Sequence, residues 1–274
     1  MSSAVLLQHD DLYPAGRIIS VFRDFGIPCE LRQLHKGDAL PTDLDEVRML
    51  VLLGGASRVG DVDSRKLPYL DAEIALAKKF VDQDRPILGV GFGAELLTIA
   101  GGGKVMENRK QPPPGPPPAP GTPPPPPGDP LPEYGWVGMT FPFPGGTEPV
   151  MFGMVDNAPF FTWHVDTFNP PSLPPPANPP PPPARPPTGN VVMASTRACR
   201  NQAYKFKNRI FGFQFHIELD KPDIERIIDV RSKEANLAAD VISTMKTDTE
   251  KQFARYQRLS TKLLTNMVQF MKRY

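Results

Sequence analysis

The sequence predicts an α/β protein built on a doubly wound, mostly parallel sheet with some antiparallel strands. Two observations carry this. Apolar runs of strand length alternate with helical patterns through the first ninety residues, and two of those runs, Met49–Gly54 and Pro86–Val90, are almost continuously apolar. Strands covered on both faces need such runs; their crossovers are right-handed and ligands bind at their carboxyl ends.

In chain order, Ala4–Gln8 reads as a first strand, and Gly16–Phe25 as a helix with Ile18, Ile19, Val21 and Phe22 on one side before Gly26 stops it. A strand near Cys29–Leu34 precedes the buried strand Met49–Gly54. Leu70–Val81 carries Leu70, Ile74, Ala75, Ala77 and Phe80 at helical spacing, Pro86–Val90 returns to strand, and Glu95–Ala100 is a short helix ended by Gly101-Gly-Gly103. Trp136–Phe143, Glu148–Phe152, Phe160–Trp163, Val191–Ala194, Gln202–Phe206 and Ile210–Phe215 read as further strands of the same sheet system, several of them antiparallel. Asp220-Lys-Pro222 opens a helix bearing Ile224, Ile227 and Ile228, with Ala235, Leu237 and Val241 continuing its spacing. A last helix over 250–272 presents Phe253, Tyr256, Leu259, Leu263, Leu264, Met267, Val268 and Met271, a stripe expected to pack on the sheet rather than to serve as a free interaction surface.

Proline breaks this pattern twice. Of 36 prolines in 274 residues, 14 fall in 111–132 and 12 in 170–187, so the remainder has an ordinary globular share. About 230 residues remain for a core, enough to fold without disulfides, and one α/β domain over 1–274 with two extended insertions is expected, its helices over 221–274 packed on the rest. Proline lacks the N–H and clashes in a helix, so both tracts are expected as polyproline II or extended coil. They are either tolerated surface expansions or docking ligands for partner modules, with Pro112, Pro123, Pro174 and Pro181 as protein-binding candidates.

Charge and cysteine content exclude several classes. Lys plus Arg is 31 against Asp plus Glu 30, with no basic cluster interleaved with aromatics, so no nucleic-acid partner is expected. Cys29 and Cys199 do not form a disulfide framework or a thiolate metal pattern, and His9 and His35 have no ligand at metal spacing, so no metal and no cofactor is expected. The start lacks a basic and apolar leader and no run spans a membrane, which makes a cytoplasmic protein the expectation.

Three constellations carry chemistry. Gly54-Gly55 ends a buried strand, where bare backbone N–H groups can face a ligand. Gly89-Val-Gly-Phe-Gly93 has the spacing of a nucleophile elbow, a sharp strand-to-helix turn around Gly91. In Phe215-His-Ile-Glu218, strand alternation puts His216 and Glu218 on one face as a base and its orienting carboxylate.

Taken with Pro86–Leu97, Ala100–Val105, Tyr134-Gly-Trp136, Trp163–Phe168 and Ala198–Ala203, these residues resemble the class I glutamine amidotransferase domain, in the style of stand-alone members similar to the amidotransferase domain of GMP synthase. The resemblance runs from about residue 3 to the final helix, outside the proline tracts. It implies a flavodoxin-like domain whose active members release ammonia from glutamine through a Cys-His-Glu triad. It also implies that Gly91 stands where the nucleophilic cysteine belongs, with His216 and Glu218 as base and orienting acid. Gly54, Gly55, Phe92, Glu95, His164 and Asp166 would line a vestigial oxyanion and substrate cleft, with Glu95 where the family has a glutamine. A carboxylate at 95 is expected to add negative charge beside the pocket. His164 and Asp166 either touch a ligand or merely hold their loop.

Glycine offers no atom to attack an amide carbon. The expectation is therefore a non-catalytic member serving as a structural or scaffolding subunit of a protein assembly, with a cytoskeletal or ciliary one conceivable. The alternatives are an amide hydrolase using a water activated by His216, and a sensor of a small amino-acid-like ligand.

Overall fold

The structure, a computed structural model, describes residues 3–59, 67–110, 128–173 and 189–272. Pro112, Pro123, Pro174 and Pro181 lie outside the described residues, with most of both proline tracts. The chain runs β1 (Ser3–Gln8), α1 (Arg17–Asp24), β2 (Cys29–Gln33), β3 (Val47–Leu52), α2 (Leu70–Asp82), β4 (Ile87–Val90), α3 (Phe92–Ala100), β5 (Lys104–Glu107), β6 (Glu133–Met139), β7 (Ala158–His164) and β8 (Asp166–Asn169). It continues through β9 (Asn190–Ala194), β10 (Ala203–Phe206), β11 (Ile210–Phe213), α4 (Lys221–Glu234) and α5 (Ala239–Lys272).

Seven strands form the main sheet in the order β2-β1-β3-β4-β11-β10-β9. The first five are parallel, and β10 runs antiparallel to both β11 and β9. Period-two alternation divides the sheet's side chains between two cores. Ala4, Leu6, Met49, Val51, Leu88 and Val90 face the core made with α1, α4, α5, β6 and β7. Val5, Leu7, Leu50, Leu52 and Ile87 face the other, made with α2 and α3. All the parallel strands but the edge strand β2 are buried, which is why they read as continuous apolar runs.

The structure corrects the reading of the middle of the chain. Its strands do not all join one sheet: β5 pairs with β8, and β6 with β7, as separate antiparallel pairs. Glu148–Phe152 is not a strand but a 3-10 turn at Pro149–Met151, fixed by the Asn266 amide donating to the carbonyls of Val150 and Phe152. Strand β11 ends at Phe213, so His216 is not in a strand; it makes an isolated bridge to Phe161. The last helix begins at Ala239, eleven residues before the predicted start. Its first turns are polar and carry no apolar stripe, but Met245 packs beside Gly135 and Thr249 accepts a hydrogen bond from the Trp136 indole at 2.9 Å. Asn236, at φ 50°, breaks the helical spacing between α4 and α5, and Val241 faces outward.

The stripe of α5 is buried as expected, with Tyr256, Leu263, Leu264 and Met267 at its centre. Arg17 locks this helix to the rest. Its buried guanidinium donates to Ser260 Oγ at 2.5 Å, to the Leu219 carbonyl at 2.6 Å and to Asp220 Oδ1 at 3.0 Å, and lies 4.9 Å from the centre of the Tyr256 ring. Removing it strands the buried carbonyl and hydroxyl, so Arg17→Met is expected to lower the unfolding free energy by about 2–4 kcal/mol. Urea unfolding, read from the midpoint at constant slope, measures this.

Candidate functional site

The site is organised by the turn from β4 into α3. Gly91 takes φ 52° and caps α3, with its N–H donating to the Phe213 carbonyl at 2.8 Å and its own carbonyl accepting from Ala94 and Glu95. Side chains rarely adopt that conformation, so glycine is its unstrained occupant. Two residues on, a Cβ at Gly93 would fall 2.1 Å from the Leu52 carbonyl oxygen. Only glycine lets α3 pack this tightly on β3, and the packing sets the end of β3, Gly54-Gly55, against Gly91 and Phe92.

His216 faces this turn. A Cβ built on Gly91 would lie 3.3 Å from His216 Cε1 and 3.7 Å from Nε2. The other ring nitrogen, Nδ1, is 2.8 Å from Glu218 Oε1, and Glu218 Oε2 accepts the Ile217 N–H at 2.8 Å. Both side chains are buried. The expected base and orienting acid are thus paired, though by a loop rather than by strand alternation. Tyr13 stacks on the imidazole, 5.1 Å between ring centres, and Gly54 packs against both rings.

Gly55 and Phe92 line the same cleft, and the N–H of neither has a protein partner among the described residues. The Gly54 carbonyl lies 3.2 Å from Nδ1 of His9, whose Nε2 lies 2.9 Å from Glu73 Oε1. Burial pushes the His9 pKa down, but the Glu73 carboxylate reverses this and leaves it above the ordinary value. His9 thus links the Glu73 carboxylate to the Gly54–Gly55 peptide, one ring nitrogen to each. The sequence reading missed this pair because Glu73 is sixty-four residues away.

Glu95 is 4 % exposed, and its Oε1 accepts from the Gln214 amide at 3.1 Å. Burial, with the Asp166 carboxylate second, pushes its pKa up to about 8. This corrects the expected negative charge: at neutral pH Glu95 is mostly a neutral acid. Asp166 keeps its charge company with Arg58, whose guanidinium makes two hydrogen bonds to it, 2.8 and 2.6 Å, bridging the walls of the cleft. His164 Nδ1 donates to the Asp166 carbonyl at 2.7 Å, so this loop is indeed held by its own hydrogen bonds. The cleft, partly open to solvent, also meets Trp163, Gln214 and Arg231.

Neither cysteine reaches His216 as a hydrogen-bond partner. Cys29 is on the edge strand β2, and the thiol of Cys199, pushed up to about 11 by burial, contacts Thr167 Oγ1 at 3.2 Å. Cys199 instead lies with Glu133 and His164, a grouping that the reading of cysteine spacing did not anticipate.

With the fold and this cleft in view, comparison with known proteins gives the class. The profile of the family described as glutamine amidotransferase class-I matches residues 14–224, and the chain belongs to that family. YfeJ of Salmonella typhimurium, described as glutamine amidotransferase-like, is 24 % identical over 257 residues, covering 93 % of this chain and 91 % of that protein. YvdE of Lactococcus lactis, described in the same words, is 30 % identical over 108 residues, 36 % of this chain and 46 % of that one. Among solved structures, a glutamine amidotransferase of Thermotoga maritima superposes with a TM-score of 0.72 at 19 % identity, over 100 % of this chain and 99 % of that one. One from Methylobacillus flagellatus gives 0.72 at 20 % identity, over 98 % and 95 %. These likenesses show the shared α/β fold. No helix among the described residues is long and apolar enough to cross a membrane.

Two outcomes follow from the site. Glu95 has a raised pKa in the folded state, so between the unfolded value near 4.5 and about 8 the native protein holds a proton that the unfolded chain releases. Stability is therefore expected to fall with pH across that window, by at most about 1.4 kcal/mol per unit, and Glu95→Gln should flatten this part of the profile. Gly91→Cys should cost about 1–3 kcal/mol through backbone strain, measured by thermal or urea unfolding.

Proposed function

We propose that this chain is a class I amidotransferase-family protein that does not release ammonia from glutamine through a covalent thioester. What supports this is position 91. The direction in which a side chain there would point leads to His216, and the residue is glycine. Thioester formation needs a thiolate whose proton the imidazole takes and whose sulfur bonds the amide carbon; a hydrogen on Cα supplies neither. The Arg58–Asp166 bridge across the cleft argues in the same direction.

A second reading has its own support. The His216–Glu218 pair is intact and the N–H groups of Gly55 and Phe92 have no protein partner among the described residues, so a water beside Nε2 would have a base on one side and oxyanion donors on the other. The scaffolding role rests on the proline tracts alone, and these lie outside the described residues. The relatives, described only as amidotransferase-like, lend it nothing, nor does anything described here point to a cilium or cytoskeleton.

Ammonia release from glutamine separates the two readings. The unaltered protein is expected to release none above the rate of a His216→Ala control. Gly91→Cys, alone or with Glu95→Gln, is expected to bring activity that titrates with a thiol-alkylating reagent. Release by the unaltered chain that is lost in His216→Ala would establish the water mechanism and end the first reading.

A further inference from the structure

Glu133 and His164 face each other directly across the β6–β7 pair, so their side chains leave the same face. The loop between β9 and β10 brings Cys199 and Gln202 over them. One carboxylate oxygen, one imidazole nitrogen and the thiol sulfur lie within 4.8 Å of one another, and all three residues are buried. We propose that Glu133, His164 and Cys199, with the side-chain oxygen of Gln202 as a fourth ligand, bind one divalent cation of the zinc type.

Four features carry the assignment. The first is the direction of the imidazole. Its Nδ1–H is committed to the Asp166 carbonyl at 2.7 Å, which turns the Nε2 lone pair to the cluster; metal-bound histidines are oriented by the same kind of outer hydrogen bond. The second is an electrostatic gap. That lone pair meets Glu133 Oε2 at 3.3 Å, acceptor against acceptor; neutral donors, the Gln202 amide and the Thr196 hydroxyl, reach the carboxylate, but no lysine or arginine pairs with it among the described residues. A cation between them removes the repulsion and compensates a buried carboxylate.

The third is Gln202. It is fully buried, its Oε1 has no partner among the described residues, and its Nε2 donates to Glu133 Oε2 at 2.5 Å and faces His164 Nε2 at 3.2 Å. Exchanging the amide's oxygen and nitrogen, which have nearly the same shape, turns the oxygen to the cluster as a neutral donor. The fourth is spacing. Tetrahedral zinc with bonds of about 2.0–2.1 Å sets its oxygen and nitrogen ligands about 3.3 Å apart, against 3.3 Å for Glu133–His164 and 3.2 Å for Gln202–His164; the Gln202–Glu133 edge, 2.5 Å as it stands, has to open by about 0.8 Å. The sulfur edge should be about 3.5 Å, so Cys199 has to draw in by no more than about 1.3 Å.

Outer contacts are in place as well: Thr196 Oγ1 donates to Glu133 Oε1 at 2.8 Å and accepts the Cys199 N–H at 2.9 Å. A mixed S, N, O set on a buried wall suits zinc rather than magnesium or calcium. The ion would tie the 195–202 loop to β6 and β7, and would fix His164 where it lines the cleft. Binding replaces the thiol proton, so it releases one proton and weakens as pH falls.

The test uses the full chain carrying Cys29→Ser, which leaves Cys199 as the one thiol. After chelator treatment, cobalt(II) is added as the probe and displaced with zinc. The expected result is one cobalt per chain with tetrahedral absorption and a thiolate-to-cobalt charge-transfer band, all removed by zinc, and His164→Gln weakening binding more than about tenfold. If the folded protein binds no cobalt or zinc at one per chain, or binds it without the thiolate band, the cluster is a hydrogen-bonded network joined by a proton and the assignment fails.

Discussion

The contact between Gly93 and the Leu52 carbonyl governs how the cleft is assembled. Because no side chain intervenes, the start of α3 sits directly on β3, and the two strand ends that carry backbone donors open toward each other. The positive φ of Gly91 is the turn this contact demands of β4. His216 then reaches the cleft from a loop anchored by the Phe161 bridge, so three separate segments meet within a few ångströms of one α-carbon.

Around that geometry the protein buries four glutamates and treats them in two ways. Glu73, Glu133 and Glu218 each lie within 3.3 Å of a histidine, His9, His164 and His216. Glu95 has no such partner among the described residues; its near neighbours are the Gln214 amide and the Asp166 carboxylate, whose charge pushes the Glu95 pKa further up. Taking a lone carboxylate out of water is costly, and the cheapest solution is to keep the proton. The cleft therefore carries less negative charge than its residue types suggest.

The parallel strands and their helices were legible because both faces are buried, which leaves continuous apolar runs and glycine stops. The elbow and the His216–Glu218 pair were legible because their partners are local or set by a short motif. What was hidden depends on distance along the chain or on burial. The partners His9 and Glu73 are 64 residues apart and Glu133 and Gln202 are 69, and no pattern in either segment announces the other. The charge state of Glu95 follows from its surroundings, and residues 148–152 look like a strand only until Asn266 claims their carbonyls. The early turns of α5 escaped notice because Met245 and Thr249 bury themselves one at a time.

The Arg58–Asp166 bridge also has a kinetic side. Both of its hydrogen bonds are charge-assisted, and the aspartate end is almost wholly shielded from solvent. A molecule that needs the space this pair spans must wait for it to part before it can settle beside His216. Its arrival would then level off at high ligand concentration, at a ceiling set by how often the arginine swings away and not by collision frequency.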